Sequence, residues 1–214
     1  MIVLEHVSVQ LEGSVLLDDL SMEIKQKERV VVLGTSGSGK TTLLRLISGF
    51  VTPQKGKVFI GGRLVSAEGK ILIPPHERAL NMVFQDLALW PHMNVGENIA
   101  FGLKLKGMPR KERKKSVEKM LLLVGLEGYA HQRIDQLSGG EKQRVALARS
   151  LVLSPKILLM DEPLSSLDPE LNRRLRAEIV KLQEILGFTL VYVTHSEAEA
   201  KEIATRTIRM TKRG

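Results

Sequence analysis

The stretch RVVVLGTSGSGKTTLLRLISGF, residues 29–50, constrains the fold more than any other part of the chain. A continuous apolar run, RVVVLG, fits a parallel strand buried on both faces. It leads through glycines into a helical pattern with Leu43, Leu44 and Ile47 on one side. The connection Gly34–Thr41 fits G-x-x-x-x-G-K-[ST], a loop whose backbone N–H groups turn inward to face phosphate oxygens. Gly34, Thr35, Ser36, Gly37, Ser38 and Gly39 would line a nucleoside triphosphate, with Thr42 beside them. Lys40 would bridge the β- and γ-phosphates, and the Thr41 hydroxyl would hold Mg²⁺. A strand before the loop and a helix after it are the context this motif needs.

Similar strands recur. PKILLMDEP and FTLVYVTH are apolar runs, TRTIRM is a shorter strand pattern, and ALNMVFQ (79–85) is a fourth. Residues 94–153 read as helical, broken at Pro109 and around Gly125 and Gly128, and further helices are expected over 170–186 and 196–203. The first part alternates at period two in LSMEIK, with KVFIGG as another strand and 52–56 and 62–78 as a turn and a loop. Strand and helix in alternation around the phosphate loop predict an α/β P-loop NTPase core with a helical insertion. The expected division of the single domain 1–214 is a nucleotide-binding core over 1–85 and 155–214, with a helical subdomain over 86–154.

Two carboxylates close the run ILLMDE. Asp161 is placed to reach a metal ion, directly or through water, and Glu162 to polarise an attacking water. A hundred residues past the phosphate loop, LSGGEKQR (137–144) sets Ser138 and Glu141 at capping-box spacing before the helical run VALARSLV. Capping does not need two glycines, and Gly139 and Gly140 imply that something approaches the backbone closely.

The chain carries a net charge of +8, and much of it is local: residues 104–119 hold eight Lys or Arg against Glu112 and Glu118. A solvated helix face and a surface for nucleic acid or anionic headgroups both fit this composition. With no cysteines, disulfides and thiolate metal sites are excluded. The apolar runs are far shorter than the roughly 20 residues that a bilayer span needs, and the first residues lack the pattern of a signal peptide.

LSGGEKQR resembles the signature sequence of ATP-binding cassette (ABC) ATPases, whose commonest form has Gln at the position of Glu141. The resemblance extends along nearly the whole chain, and it implies the ABC ATPase architecture, with an antiparallel β subdomain beside the P-loop NTPase core and the helical insertion. GTSGSGKTT looks like the Walker A loop, ILLMDEP like Walker B, VFQD places Gln85 as the Q-loop glutamine, LSSLDP looks like the D-loop, and VYVTH puts His195 at the switch histidine. It implies an ATPase that uses ATP and Mg²⁺, with Thr41, Gln85 and Asp161 around the metal and Lys40, Glu162, His195 and Gln85 in catalysis. It also implies that two such domains, identical copies in the simplest case, bind head to tail, so that Ser138, Gly139 and Gly140 of one close over the nucleotide of the other. FQDLALWPHMNVGENIAFGL resembles the corresponding segment of importer subunits for sugars, polyamines and inorganic ions. The expected partners are therefore transmembrane permease subunits, and the expected location is cytoplasmic, peripheral on the inner face of the cell membrane. Nucleic acid is not expected. Two classes compete: an ABC-type ATPase acting on nucleic acid, which would account for the charge, and a small-molecule kinase, which would leave the signature and His195 without a role.

Two positions depart from the family pattern. Leu11 stands where an aromatic usually stacks on adenine, which implies loose ATP affinity or weak base discrimination. Thr205 stands where Asp is frequent. The chain ends soon after His195, where many importer ATPases continue into a regulatory domain.

Overall fold

The computed structural model describes residues 1–11 and 14–211. Two sheets organise the fold. Strands β1 (Ile2–Leu11), β2 (Ser14–Ile24), β4 (Lys55–Ile60), β5 (Arg63–Ala67) and β6 (Lys70–Ile71) form an antiparallel sheet in the order β2-β1-β4-β5-β6. Strands β3 (Arg29–Gly34), β7 (Leu80–Val83), β8 (Ile157–Asp161), β9 (Thr189–Thr194) and β10 (Arg206–Met210) form a parallel sheet in the order β10-β3-β9-β8-β7.

Strand alternation divides the parallel sheet between two cores, as period two requires. Val30, Val32, Ile157, Leu159, Val191 and Val193 face one way. They pack with Leu43, Leu44, Leu46 and Ile47 of helix α1 (Lys40–Ser48) and with the inner residues of the antiparallel sheet. Val31, Leu33, Leu158, Met160, Leu190 and Tyr192 face the other way. They pack in one cluster with residues of α2 (Val95–Leu105), α3 (Arg110–Leu123), α4 (Gly139–Leu151), α5 (Pro169–Leu186) and α6 (Glu197–Ile203). Helix α1 is thus held between two sheets, and the remaining helices share the opposite core.

Helix starts follow their sequence signals. Asn94 and Glu97 exchange reciprocal bonds at the start of α2 (Glu97 N to Asn94 Oδ1 2.8 Å, Asn94 N to Glu97 Oε2 2.9 Å), a capping box. Asp168 caps α5 ahead of Pro169 at the first helical position.

The observed strands differ from the expected ones in two places. The fourth parallel strand stops at Val83, leaving Phe84 outside it and Gln85 in the turn that follows. Residues 62–78, read as a loop, contain β5, β6 and a short 3₁₀ turn at Pro75–Glu77. Strand β1 carries register shifts after Leu4, Val7 and Val9, which break the alternation of its residues.

Candidate functional site

The phosphate loop, Asp161, Glu162 and His195 lie at one edge of the parallel sheet. In the register Leu33 pairs with Thr194, Asp161 with Val193 and Val83 with Met160, so the carboxyl ends of β3, β7, β8 and β9 are level. Ligands of open parallel sheets bind outside that edge. From it emerge the phosphate loop after β3, Asp161 and Glu162 at the end of β8, and His195 just past β9.

The loop is shaped by its glycines. Gly39 takes φ +90° at the start of α1, and a Cβ there would lie 2.5 Å from the Leu16 carbonyl oxygen, so β2 packs directly on the loop. Gly37 has φ +79° with nothing within 4 Å of a Cβ, so its outer side is open. The Lys40 ammonium is buried and donates to the carbonyls of Gly34 (2.9 Å) and Thr35 (2.8 Å). The Ser38 hydroxyl, also buried, has no hydrogen-bond partner among the described residues. Thr35 and Ser36 are exposed, and Thr41 and Thr42 are half-buried at the first turn of α1.

The Thr41 hydroxyl donates to Asp161 Oδ1 at 3.0 Å. Burial raises the Asp161 carboxyl above the usual carboxylate range, and the Thr41 hydrogen bond opposes that shift. Glu162 sits in the left-handed region with φ +43°, an uncommon conformation for a residue with a side chain. Its N–H donates to Val193 O (3.0 Å), while the Ser165 hydroxyl donates to its carbonyl (2.9 Å). These bonds hold the sharp turn that swings its carboxylate inward. Glu162 Oε1 then lies 3.5 Å from Lys40 Nζ, and Oε2 lies 3.0 Å from His195 Nδ1. One carboxylate therefore joins the phosphate-loop lysine to the histidine of a different strand.

Three predicted groups stand apart from this cluster. Gln85 is exposed, and its side chain makes no hydrogen bond among the described residues. Leu11 is 52% exposed at the tip of the β1–β2 hairpin, as is Val15. Ser138 caps α4 in a full capping box: Glu141 Oε2 accepts from Ser138 N (2.8 Å) and Oγ (2.7 Å), and Ser138 Oγ accepts from Glu141 N (3.4 Å). No hydrogen bond or ion pair joins Ser138–Glu141 to the phosphate loop among the described residues. The close approach inferred for the glycines is made, in this chain, by leucines. A Cβ on Gly140 would lie 2.9 Å from Leu171 Cδ2, and one on Gly139 3.2 Å from Leu167 Cδ2.

Several supporting residues carry no sequence signal. Arg149 of α4 donates to the carbonyls of Leu87 (2.7 Å) and Ala88 (2.6 Å), and its guanidinium lies 4.7 Å from the Trp90 ring centroid. It ties the signature helix to the segment after Gln85. Buried Asn98 accepts from Trp90 N (3.0 Å) and donates to the carbonyls of Trp90, Met93 and Asn94, fixing the next turn. Under His195, Glu199 accepts from Tyr192 Oη (2.9 Å) and Asn172 Nδ2 (3.0 Å), and Asn172 also donates to Leu164 O. Thr205 bonds both the N–H and the carbonyl of Arg29 (3.0 Å each), pinning the start of β10 to β3. Polar residues spaced for a cap or a turn were readable; these depend on contacts made far along the chain.

The ABC transporter family profile matches residues 17–165. The chain is 47% identical over 209 residues to a protein of Rhizobium meliloti (strain 1021) named Fe(3+) ions import ATP-binding protein FbpC 1, covering 98% of this chain and 58% of that one. It is 43% identical over 212 residues to the spermidine/putrescine import ATP-binding protein PotA of Clostridium novyi (strain NT), covering 99% and 60%. It thus spans about three fifths of the length of these curated relatives. Among solved structures, the dimeric post-hydrolysis state of the ATP-binding cassette MJ0796, bound to ADP and Pi, superposes with a TM-score of 0.83 at 31% identity, covering 98% of this chain and 94% of that one. A phosphate loop, two carboxylates and a histidine at one sheet edge, a capped Ser-Gly-Gly helix start, and a family match over most of the sequence lead to one assignment: the chain belongs to the ABC transporter family.

Proposed function

We propose that this chain binds and hydrolyses ATP and that the hydrolysis powers an importer of a small solute. The observation that carries this is the Glu162 carboxylate, held between Lys40 and His195 beside the Thr41–Asp161 pair. The named relatives, which serve iron(III) ions and polyamines, support import as the direction and a small solute as the cargo.

The residues present fit ATP and magnesium. The loop offers a buried cation and a buried hydroxyl without a partner among the described residues. Thr41 and Asp161 supply two hard oxygen ligands, suited to an ion that keeps waters and shares the phosphates of its substrate. When bound, magnesium supplies neutralisation of charge on the β- and γ-phosphates. Lys40 exchanges the Gly34 and Thr35 carbonyls for phosphate oxygens. Glu162 is then free of Lys40 and accepts a proton from the attacking water, a contribution typically worth 10²–10⁴-fold. His195 orients Glu162 and would reach the γ-phosphate, and Gln85, in the turn after β7, would supply a further oxygen ligand for the metal. Ser138, Gly139 and Gly140 of a second copy complete the site, so turnover belongs to a dimer. The helical part, 86–154, meets the permease subunits, and the protein works at the inner face of the cell membrane. Among the described residues no helix is long and apolar enough to cross a membrane.

Light scattering on Glu162→Gln with and without Mg-ATP tests the reading. A monomer that dimerises only with ATP, and no longer does so when Ser138→Arg is added, is the expected result. Normal turnover by Glu162→Gln would sink the assignment of the base. Unchanged dimerisation after Ser138→Arg would sink the shared site.

A further inference from the structure

The basic run has a definite shape in the fold. Helix α3 buries Val117, Met120 and Leu121, which sit three and four residues apart. At 3.6 residues per turn, Lys111, Lys115, Lys119 and Leu122 fall on the side directly opposite. All four are exposed, Leu122 to 62%. The three lysines make no hydrogen bond or ion pair among the described residues. Their neighbours are less free: Lys114 lies 3.8 Å from Glu118, and Arg113 donates to the Met108 carbonyl. Glu112 and Glu118 border the stripe without lying on its central line. At the last residue of α2, just ahead of the connection into α3, Leu105 is 73% exposed between Lys104 and Lys106. A lysine stripe with an exposed leucine in it, and a second exposed leucine between lysines nearby, is therefore what this part of the molecule offers to solvent.

We infer that the outer face of α3 contacts the membrane directly, binding anionic phospholipid headgroups through Lys111, Lys115 and Lys119 while Leu122 enters the interface. The charge is complementary to an anionic leaflet, which attracts basic side chains within a Debye length of its surface. Long lysine stems suit this role, since they lie along apolar surface while the ammonium stays in water. Leucine decides between lipid and nucleic acid. Phosphate contacts to a duplex gain nothing from an exposed leucine, whereas a bilayer interface takes one up. Single strands are bound through aromatic stacking, and neither α3 nor residues 105–109 contain an aromatic. Lipid contact at this face would orient the helical part toward the bilayer independently of any permease contact. It needs no nucleotide and does not depend on the ATPase reading.

The test is co-sedimentation of the full chain with large unilamellar vesicles, either pure phosphatidylcholine or equimolar with phosphatidylglycerol, at low ionic strength and without ATP. Binding is expected to the anionic vesicles alone. It should weaken by about five-fold for each lysine removed, and so on the order of a hundred-fold in Lys111→Gln/Lys115→Gln/Lys119→Gln. Leu122→Ser should weaken it several-fold while leaving the salt dependence intact. Equal binding to both vesicles, no binding to either, or an unchanged partition in the triple variant would overturn the inference. Tighter binding to a duplex DNA oligonucleotide than to the anionic vesicles at the same salt would replace it with a nucleic-acid surface. The charge-reversed variant Lys111→Glu/Lys115→Glu/Lys119→Glu, with its melting temperature checked, should bind least of all.

Discussion

Replacing Arg78 by Met should destabilise the protein by about 3 kcal/mol, although Arg78 touches no catalytic group. Its guanidinium is buried behind the end of α1 and spends every N–H on a neutral oxygen. Nε donates to Ile73 O (2.8 Å), Nη1 to Leu46 O (3.2 Å) and Ile47 O (2.9 Å), and Nη2 to Val65 O (3.1 Å) and Ser66 Oγ (2.7 Å). It therefore gathers the last carbonyls of α1, strand β5 and the segment after β6 around one cation. Two of these acceptors have other donors, since Gly49 N also reaches Leu46 O and the N–H groups of Leu72 and Ile73 reach Val65 O. The loss falls on Ile47 O, Ile73 O and Ser66 Oγ. A buried polar group left unpaired costs about 1–3 kcal/mol. Burial lowers the Arg78 pKa to about 10, so it is charged at neutral pH but imperfectly solvated, and removing it recovers part of that penalty. The lower end of the range is therefore the expectation, about 1 kcal/mol for each of three acceptors. For a chain of this length that lowers Tm by roughly 6–12 °C. Thermal unfolding followed by circular dichroism measures it, and nucleotide titration in the same samples reports whether the far end of α1, the phosphate loop, loosens with it. A Tm within about 2 °C of wild type would show that water or another donor satisfies these carbonyls and that the guanidinium does not hold α1 in place.

Other substitutions isolate other contacts. Gly39→Ala meets both a left-handed backbone and the Leu16 carbonyl at 2.5 Å, whereas Gly37→Ala meets only the backbone penalty of about 1–2 kcal/mol; nucleotide titration should show binding lost in the first and weakened in the second, and equal effects would refute the packing argument. Leu11→Tyr supplies the missing stacking surface at the hairpin tip and should tighten ATP by about 1–3 kcal/mol. Isothermal titration that finds no gain would mean that the base does not lie against this hairpin.

The parts legible in the sequence are those written locally. A buried strand, a glycine loop and an amphipathic helix announce themselves within twenty residues, and the order β3, loop, α1 follows from them. The carboxylates after β8 are legible for the same reason, since an apolar run that stops at two acids leaves them at a strand end. The hairpin of β5 and β6 was hidden by Gly61, Gly62, Gly69 and the pair Pro74–Pro75, which punctuate so densely that the five-residue strand between them reads as loop. Arg78 and Arg149 were illegible for a different reason. Each is one basic residue among many in the sequence, and what distinguishes it is a set of carbonyl oxygens assembled from elements far along the chain.

The same distinction separates the two glycines of the signature from the lysines of α3. Gly140 suggested a ligand approaching from outside, and the structure supplies an approaching group from within, Leu171, so packing gives a second reason for its missing side chain. Gly139 is more exposed, and its nearest neighbour is 3.2 Å away, at the edge of what a shifted leucine tolerates. If a partner's nucleotide comes to this helix, it meets the Ser138 hydroxyl and the Gly139 backbone, and Gly140 contributes by letting α5 pack close behind them. Gly140→Ala should then act through stability and Ser138→Arg through dimerisation. The lysines reverse the logic, because Lys111, Lys115 and Lys119 make no hydrogen bond or ion pair among the described residues, although Glu127 lines the same shallow hollow as Lys115 and Lys119. A buried contact can explain a residue without any partner, whereas three exposed cations and a leucine aligned on one helix face suit a partner outside the molecule, and the vesicle experiment decides between that partner and a merely solvated face.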